Sequence, residues 1–244
     1  MTKILSIIVA RKGSLGLKSK CMLPINSKPV VEYVIEWSTG LSDTKKDIFV
    51  DTLVSTDIED LEDICKKHNA FYLKRDENLA GNAVRIEDVM ADVVEKRKGK
   101  WDYLSLLYGN IPIRYNNLFY EPLEFLEKNK SYDAAISFQN VEKYNPDWMI
   151  DLSEDELPDW NEKGFRRQDL KQYMVHDGHT CITRAEFFIQ KYNEMQNTRT
   201  GKMYEVFGTK IKPWLNGELI IDIDTERDFV LAEALKAYEL FTKG

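Results

Sequence analysis

The hydrophobic pattern along the chain alternates between two kinds of run. Ile4-Leu5-Ser6-Ile7-Ile8-Val9-Ala10 is short and almost continuously apolar, the signature of a strand buried on both faces. It breaks into RKGSLGLKSK. Val30, Val31, Val34, Ile35 and Trp37 then recur at helical spacing, with Pro29 before them and Gly40 after them as start and stop signals. The pattern repeats: Ile48 to Val54 predicts a strand, Ser55-Thr56-Asp57 a helix cap, and Ile58, Leu61 and Ile64 the apolar stripe of a second helix. Ala70 to Leu73 predicts a third strand, 84–97 a helix, Tyr103 to Leu107 a buried strand, Leu118 to Lys128 a helix and Ala134 to Phe138 a further strand. Such alternation predicts an α/β fold, a mostly parallel, doubly wound sheet with helices on both faces.

Regularity lapses over 139–178, where Pro146, Pro158 and the acidic run SEDE interrupt any period. Hairpins and an excursion from the sheet are expected there, inside a single domain spanning 1–244. Order returns with Leu219 to Asp224, read as a strand, and with Thr225 and Asp228, which resemble a capping box. The helix they open carries Leu231, Leu235 and Tyr238 on one face.

Composition narrows the class. With 43% apolar residues in 244, the chain can bury the core of one large domain. No apolar run reaches the roughly 18 residues that span a bilayer, and Met1-Thr2-Lys3 leads into a strand with no cleavage-site pattern. The expectation is a soluble cytoplasmic protein with no membrane partner. Three scattered cysteines, Cys21, Cys65 and Cys181, argue against a disulfide framework. A net charge of -7 speaks against nucleic acid as the main partner. Against that acidic background, residues 1–31 carry Lys3, Arg11, Lys12, Lys18, Lys20 and Lys28 and no acid, a local excess that suits a compact polyanion.

The chemistry concentrates at two places. A triphosphate bound after a strand needs inward backbone N–H groups, small residues and cations, and Arg11 to Lys20 supplies all three. The loop is neither a Walker A sequence nor a three-glycine dinucleotide fingerprint, and a plain glycine turn with solvated lysines is the other reading. Asp222 and Asp224, two apart on a strand, would present carboxylates on one face at roughly 6.5 to 7 Å between Cα atoms. That pair suits Mg²⁺, while Asp224 as a helix-terminus anion is the alternative. His176, His179 and Cys181 raise a zinc site, but a fourth ligand at suitable spacing is missing. Trp148, Trp160 and Trp214 read as packing or interface residues.

The stretch IIVARKGSLGLKSKCMLPINSKPVVEYVI resembles the first motif of the acylneuraminate cytidylyltransferase family, A-R-x-G-S-x-G-x-x-x-K-N followed by a lysine-proline pair. Arg11, Gly13, Ser14, Gly16, Lys20 and Lys28-Pro29 match, and Cys21 replaces the usual asparagine. LVSTDIEDLEDICKKHNA is similar to the family's V-S-T-D segment, and LKRDENLAGNA to its R-P-x-x-L-A-x-D stretch, with Arg75 retained and Asn82 in place of aspartate. LLYGNIPIR aligns with L-Q-P-T-S-P-L-R, Tyr108 standing for glutamine and Gly109-Asn110-Ile111 for Pro-Thr-Ser. RRQDLKQYMVHDGHTCIT resembles R-Q-x-x-P-x-x-Y-x-x-N-G-A-x-Y-I through Arg167, Gln168, Tyr173, Gly178 and Ile182, and IDIDTERD the closing D-I-D-T-x-x-D.

The resemblance implies a Rossmann-like nucleotidyltransferase that moves CMP from CTP to the anomeric hydroxyl of a 2-keto-3-deoxy, sialic-acid-like sugar and releases pyrophosphate. It implies Arg11 and Lys20 as catalytic groups on the phosphates, and Ala10, Arg11, Gly13, Ser14, Lys20, Arg75 and Asn82 around the nucleotide. Tyr108, Arg167, Gln168 and Tyr173 would face the acid, Asp222 and Asp224 would hold Mg²⁺, and the 139–178 excursion would form a homodimer. A CMP-Kdo-type enzyme, one using another sugar or base, and a non-catalytic nucleotide-binding regulator are the other readings.

Overall fold

Around a central strand, β1 (Thr2–Val9), the chain lays down its elements in the predicted alternation. A small hairpin, β2 (Pro24–Ile25) and β3 (Lys28–Pro29), leads into α1 (Val30–Thr44), β4 (Ile48–Thr56), α2 (Leu61–Lys67) and β5 (Phe71–Lys74). Then come α3 (Ile86–Lys96), β6 (Tyr103–Tyr108), α4 (Asn117–Lys128) and β7 (Ala134–Asn140). A second hairpin, β8 (Asp151–Leu152) and β9 (Pro158–Asp159), precedes β10 (Met174–Arg184), α5 (Ala185–Met195), β11 (Ile211–Asn216) and α6 (Glu226–Lys243). The computed structural model describes residues 1–13, 16–152, 158–159, 166–198, 200, 202 and 204–243.

The main sheet has seven strands in the order β11-β7-β10-β6-β1-β4-β5. β10 runs antiparallel between β6 and β7, and the other pairings are parallel. Alternate residues of β1 feed opposite layers: Leu5, Ile7 and Val9 pack with Val89, Met90 and Phe188 of α3 and α5, while Ile4 and Ile8 face the layer of α1, α2 and α4. Ser6 falls on that second face without a polar penalty, because its hydroxyl bonds Ser38 at 2.7 Å and Ser38 bonds Thr52 at 2.8 Å. Among the described residues no helix is long and apolar enough to cross a membrane.

Five sequence expectations are corrected. Gly40 does not stop α1, which continues to Thr44 because Leu41 extends the buried stripe and the Ser42 hydroxyl accepts from the Val50 N–H. Ser55-Thr56-Asp57 is no helix cap: α2 starts at Leu61, and these residues close β4 at the edge of a cleft. Leu219 to Asp224 is not a strand, since its N–H and C=O groups bond loops at the strand ends rather than a neighbouring strand, as in Ile223 N–H to the Asn110 carbonyl at 3.1 Å. Leu231 and Tyr238 are exposed on α6; Phe229, Ala232 and Leu235 are the side that packs, against Ile25, Val30, Ile221 and Ile223. β7 runs to Asn140 and β10 begins at Met174, so the described residues between them that leave the main sheet occupy a shorter stretch than the expected 139–178.

β10 escaped the hydrophobic pattern because its buried positions are polar. Asp177 accepts from Ser137 Oγ, the His179 N–H and Asn216 Nδ2, and Gly178 sits at φ 72 where the pairing with β7 shifts register. The acidic run 153–156 and Trp160 lie outside the described residues.

Candidate active site

In β1, Val9 stands opposite Ser55 of β4 and Tyr108 of β6, so three parallel strands end together. A cleft opens beyond their carboxyl ends, where open α/β sheets place ligands. Its lining includes Ala10, Arg11, Lys20, Arg75, Asn82 and Tyr108, six of the residues expected at the substrates.

The loop after β1 wraps one side. Arg11 Nη1 donates to Asn82 Oδ1 at 2.6 Å, so the arginine and the residue replacing aspartate already meet. The Lys12 N–H donates to Asp57 Oδ1 at 2.7 Å, which ties the loop to the end of β4. Gly16 is required by proximity: a Cβ there would lie 2.5 Å from the Asp224 carbonyl oxygen, which accepts from the Leu17 N–H at 3.1 Å. Gly13 has open space around it, and Ser14 lies outside the described residues. Lys20 closes the circuit with an ion pair to Asp224 Oδ1, although 204 positions separate them.

Arg75 forms the far wall. It is buried, with Nη2 donating to the Ser55 carbonyl at 2.6 Å and Nε to Ser55 Oγ at 3.2 Å. Burial pulls its guanidinium below the ordinary value, a cost that an anion in the cleft would offset. Val84, Ile86 and Val89 give the cleft an apolar side. Cys21, in the asparagine position, is buried, and desolvation pushes its thiol up to about 11, so it is neither a nucleophile nor a charged ligand.

Tyr108 does not stand alone. Its hydroxyl bonds Tyr204, and Tyr204 Oη lies 2.7 Å from His176 Nδ1, making a buried chain beside the cleft. Burial pushes the Tyr108 hydroxyl well above its ordinary value, so it stays a neutral donor or acceptor.

Asp222 and Asp224, on the crossing after β11, border the cleft through two residues that line it, Asn110 bonding Asp222 and Lys20 pairing with Asp224. Asp224 is 64% exposed and touches Lys20. Asp222 keeps an open face, yet the protein around it and the charge of Asp224 push its carboxyl up to about 6. A carboxyl whose charge is disfavoured by its surroundings and by a second hard carboxylate, beside a cleft whose one thiol, Cys21, is held in its neutral form, fits a divalent cation such as Mg²⁺. Beneath them Arg114 is half-buried and donates to the carbonyls of Tyr108 at 2.8 Å, Ile111 at 3.0 Å and His179 at 2.5 Å. Neither Asn110, which bonds Asp222, nor Arg114 stood among the expected site residues. The signal was present in LLYGNIPIR, where a buried-strand pattern ends in an amide and a guanidinium.

Gln168 and Tyr173 are not in this cleft. Gln168 lines a separate groove with Asn140, Asn145 and Lys171, and Tyr173 Oη donates to Asp147 Oδ1 at 3.4 Å. Arg167 opens a short 3-10 turn in the same excursion, and its side chain lies outside the described part. His176, His179 and Cys181 diverge as well: His176 meets Tyr204, His179 Nε2 accepts from the Tyr115 N–H at 2.9 Å, and Cys181 is in the core. Trp214 packs edge-on against Phe125, whereas Trp148 is exposed.

Comparison with known proteins places this cleft in context. A family model described as cytidylyltransferase matches residues 5–235. The chain is 29% identical over 233 residues to an N-acylneuraminate cytidylyltransferase of Streptococcus agalactiae serotype V, covering 93% of this chain and 52% of that protein. It thus spans about half the length of that relative. A pseudaminic acid cytidylyltransferase of Campylobacter jejuni is 24% identical over 253 residues, covering 96% of both. Among solved structures, a CMP:2-keto-3-deoxy-manno-octonic acid synthetase complexed with CTP superposes with a TM-score of 0.69 at 17% identity, covering 98% of this chain and 100% of that one. The likeness is one of fold.

Proposed function

For a chain that belongs to the cytidylyltransferase family, we propose that this cleft transfers CMP from CTP to the anomeric hydroxyl of a 2-keto-3-deoxy sugar acid. The observation that carries the reading is the meeting of the phosphate loop and the carboxylate pair through Gly16, Leu17 and Lys20 on Asp224. Cations for a triphosphate and ligands for its metal are thereby held on one ring of contacts.

The reaction forms a bond from the anomeric oxygen to the α-phosphorus and breaks the bond to the β-phosphate bridging oxygen. Pyrophosphate leaves with the electron pair, and the hydroxyl proton passes to solvent. Arg11 and Lys20 neutralise phosphate charge, with Lys20 exchanging Asp224 for a phosphate oxygen when nucleotide arrives. Arg75 and the backbone at Ala10 position the nucleotide, and the apolar Val84, Ile86 and Val89 side lowers the local dielectric. Asp222 and Asp224 would hold Mg²⁺, which supplies charge neutralisation at the phosphates when bound.

The acid is assigned as a nonulosonic acid of the sialic or pseudaminic type, supported by the substrates in the relatives' names. Its carboxylate is assigned to Arg167, with Gln168 and Tyr173 nearby, reaching a cleft by way of a second copy of the chain. Tyr144, Met149, Ile150, Met174 and Val175 are exposed apolar residues of the excursion and its junction with β10, which favours a homodimer through that segment. Three buried, unbonded cysteines favour a reducing, cytoplasmic setting.

The test is pyrophosphate release with CTP and Mg²⁺ across sialic, legionaminic, pseudaminic and Kdo-type acids, repeated with ATP, GTP and UTP. Turnover with CTP and one nonulosonic acid supports the proposal, turnover with the Kdo type alone moves the acid, and silence throughout removes the enzyme reading.

A further inference from the structure

We propose that Asn110 is a positioning residue for the metal site: its side-chain amide clamps Asp222 Oδ1 and leaves Oδ2 as the oxygen offered to the cation. The inference rests on the reading of Asp222 as a metal ligand.

The amide makes two donations at once. Asn110 Nδ2 bonds Asp222 Oδ1 and, at 3.1 Å, the Ile223 carbonyl, while the Asn110 carbonyl accepts from the Ile223 N–H at 3.1 Å. Both side-chain partners are acceptors, so the amide nitrogen must face them; the opposite orientation would set oxygen against oxygen. Backbone and carboxylate of the crossing segment are thus registered by one residue that is 7% exposed.

The base of this clamp is itself held. The Gly109 N–H donates to the Val9 carbonyl at 2.9 Å, and a Cβ at 109 would lie 3.0 Å from that oxygen and 3.1 Å from Val31. Arg114 ties the carbonyls at both ends of the 108–111 turn to that of His179. On the far side stands Gly178, where a Cβ would meet Ile111 at 2.6 Å and lie in ordinary contact with Asp222 Oδ2 at 3.9 Å. Asp224 has no such fixture: its carboxylate is more than half exposed and held by Lys20.

Asn110 therefore does for a carboxylate what an outer-shell hydrogen bond does for many metal ligands, fixing one oxygen so that the other points. It also gives Asn110 a role in the Gly-Asn-Ile sequence that stands where the resembled family has Pro-Thr-Ser: the amide reaches two acceptors from a turn in which a Cβ at 109 would crowd Val9 and Val31.

The test is Mn²⁺ binding to the full-length protein without nucleotide, followed by electron paramagnetic resonance, together with the Mg²⁺ dependence of turnover. Asn110→Ala should weaken Mn²⁺ binding about 10- to 100-fold, as loss of an outer-shell partner does elsewhere. CTP binding in EDTA should stay within about twofold, and excess Mg²⁺ should restore kcat. Asn110→Thr, which keeps one donor, should fall between the two and guards against misfolding of the alanine variant. Mn²⁺ affinity unchanged in both variants, while Asp222→Asn abolishes it, would overturn the role of Asn110 alone. Asp222→Asn that binds Mn²⁺ normally would overturn the metal reading and this proposal with it.

Discussion

The proposed nucleotide half of the site and the proposed acid half are built on different principles. Around the phosphate loop, four described groups are tied to other parts of the chain: Arg11 to Asn82, Lys12 to Asp57, Lys20 to Asp224, Arg75 to Ser55. Ser55 and Asp57 stand at the end of β4, while Asn82 and Asp224 lie on connections near the strand ends. Gln168 and Tyr173 instead hang on the 141–173 excursion, bonded within it and facing a groove of their own. The first set is held by contacts between separate parts of the chain, the second by contacts inside one excursion.

The largest effect expected in breaking this contrast comes from Asp224→Asn. Turnover should fall about 10³-fold, the order seen when preorganised charge stabilisation is removed. The melting temperature should hardly change, because the carboxylate is 64% exposed. Stopped assays and a thermal melt check both; near-normal turnover would free Asp224 of a metal role.

Next in size is Lys20→Met, with kcat/KM for CTP expected to fall about 10²-fold as a phosphate cation is lost. The same change should tighten Mn²⁺ binding to nucleotide-free protein, since Asp224 no longer has a competing cation. Weaker Mn²⁺ binding in this variant would contradict the exchange of partners.

Charging the excursion separates the halves. Met149→Lys with Met174→Glu should dissociate the proposed dimer in analytical ultracentrifugation and raise KM for the acid about tenfold, the scale of one lost recognition contact. CTP affinity should be unaltered, and a parallel loss there would mean the halves are not independent.

The smallest effect is on pH. Asp222 titrates near 6 because burial and Asp224 disfavour its charge, so a proton competes with the cation as pH falls through that value. Mn²⁺ affinity should drop about fourfold between pH 7 and 5.5, measured by titration calorimetry. In metal-free protein the sign reverses for the fold: the protonated carboxyl contributes stability below its ordinary value, and that contribution is lost as pH rises through 6. Asp222→Asn should remove both trends.

Periodicity was a sound guide where burial is apolar. β1, β4, β6, α1, α3 and α4 follow directly from runs such as Ile4 to Ala10 and stripes such as Val30, Val34 and Ile35, because the strands are buried between two hydrophobic layers and each helix turns one face to a layer. It failed where burial is polar or imposed from a distance. The interior strand β10 carries Asp177, His179 and Thr180, each bonded to residues far along the chain, so this part of its pattern reads as surface. Leu219 to Asp224 alternates like a strand, yet Ile220, Ile221 and Ile223 are buried in satellite clusters over the strand ends.

The sequence by itself determined the α/β alternation, the basic loop after the first strand and the two aspartates near the chain's end, since these depend on composition within short windows. Only the tertiary structure decided that Lys20 meets Asp224, that Asn110 and Arg114 stand behind Asp222, and that Gln168 and Tyr173 face away from the nucleotide cleft. Those facts depend on which strand ends the sheet brings together. Strand order is set by long-range packing and by hydrogen bonds between residues as much as 204 positions apart, for which no local pattern exists.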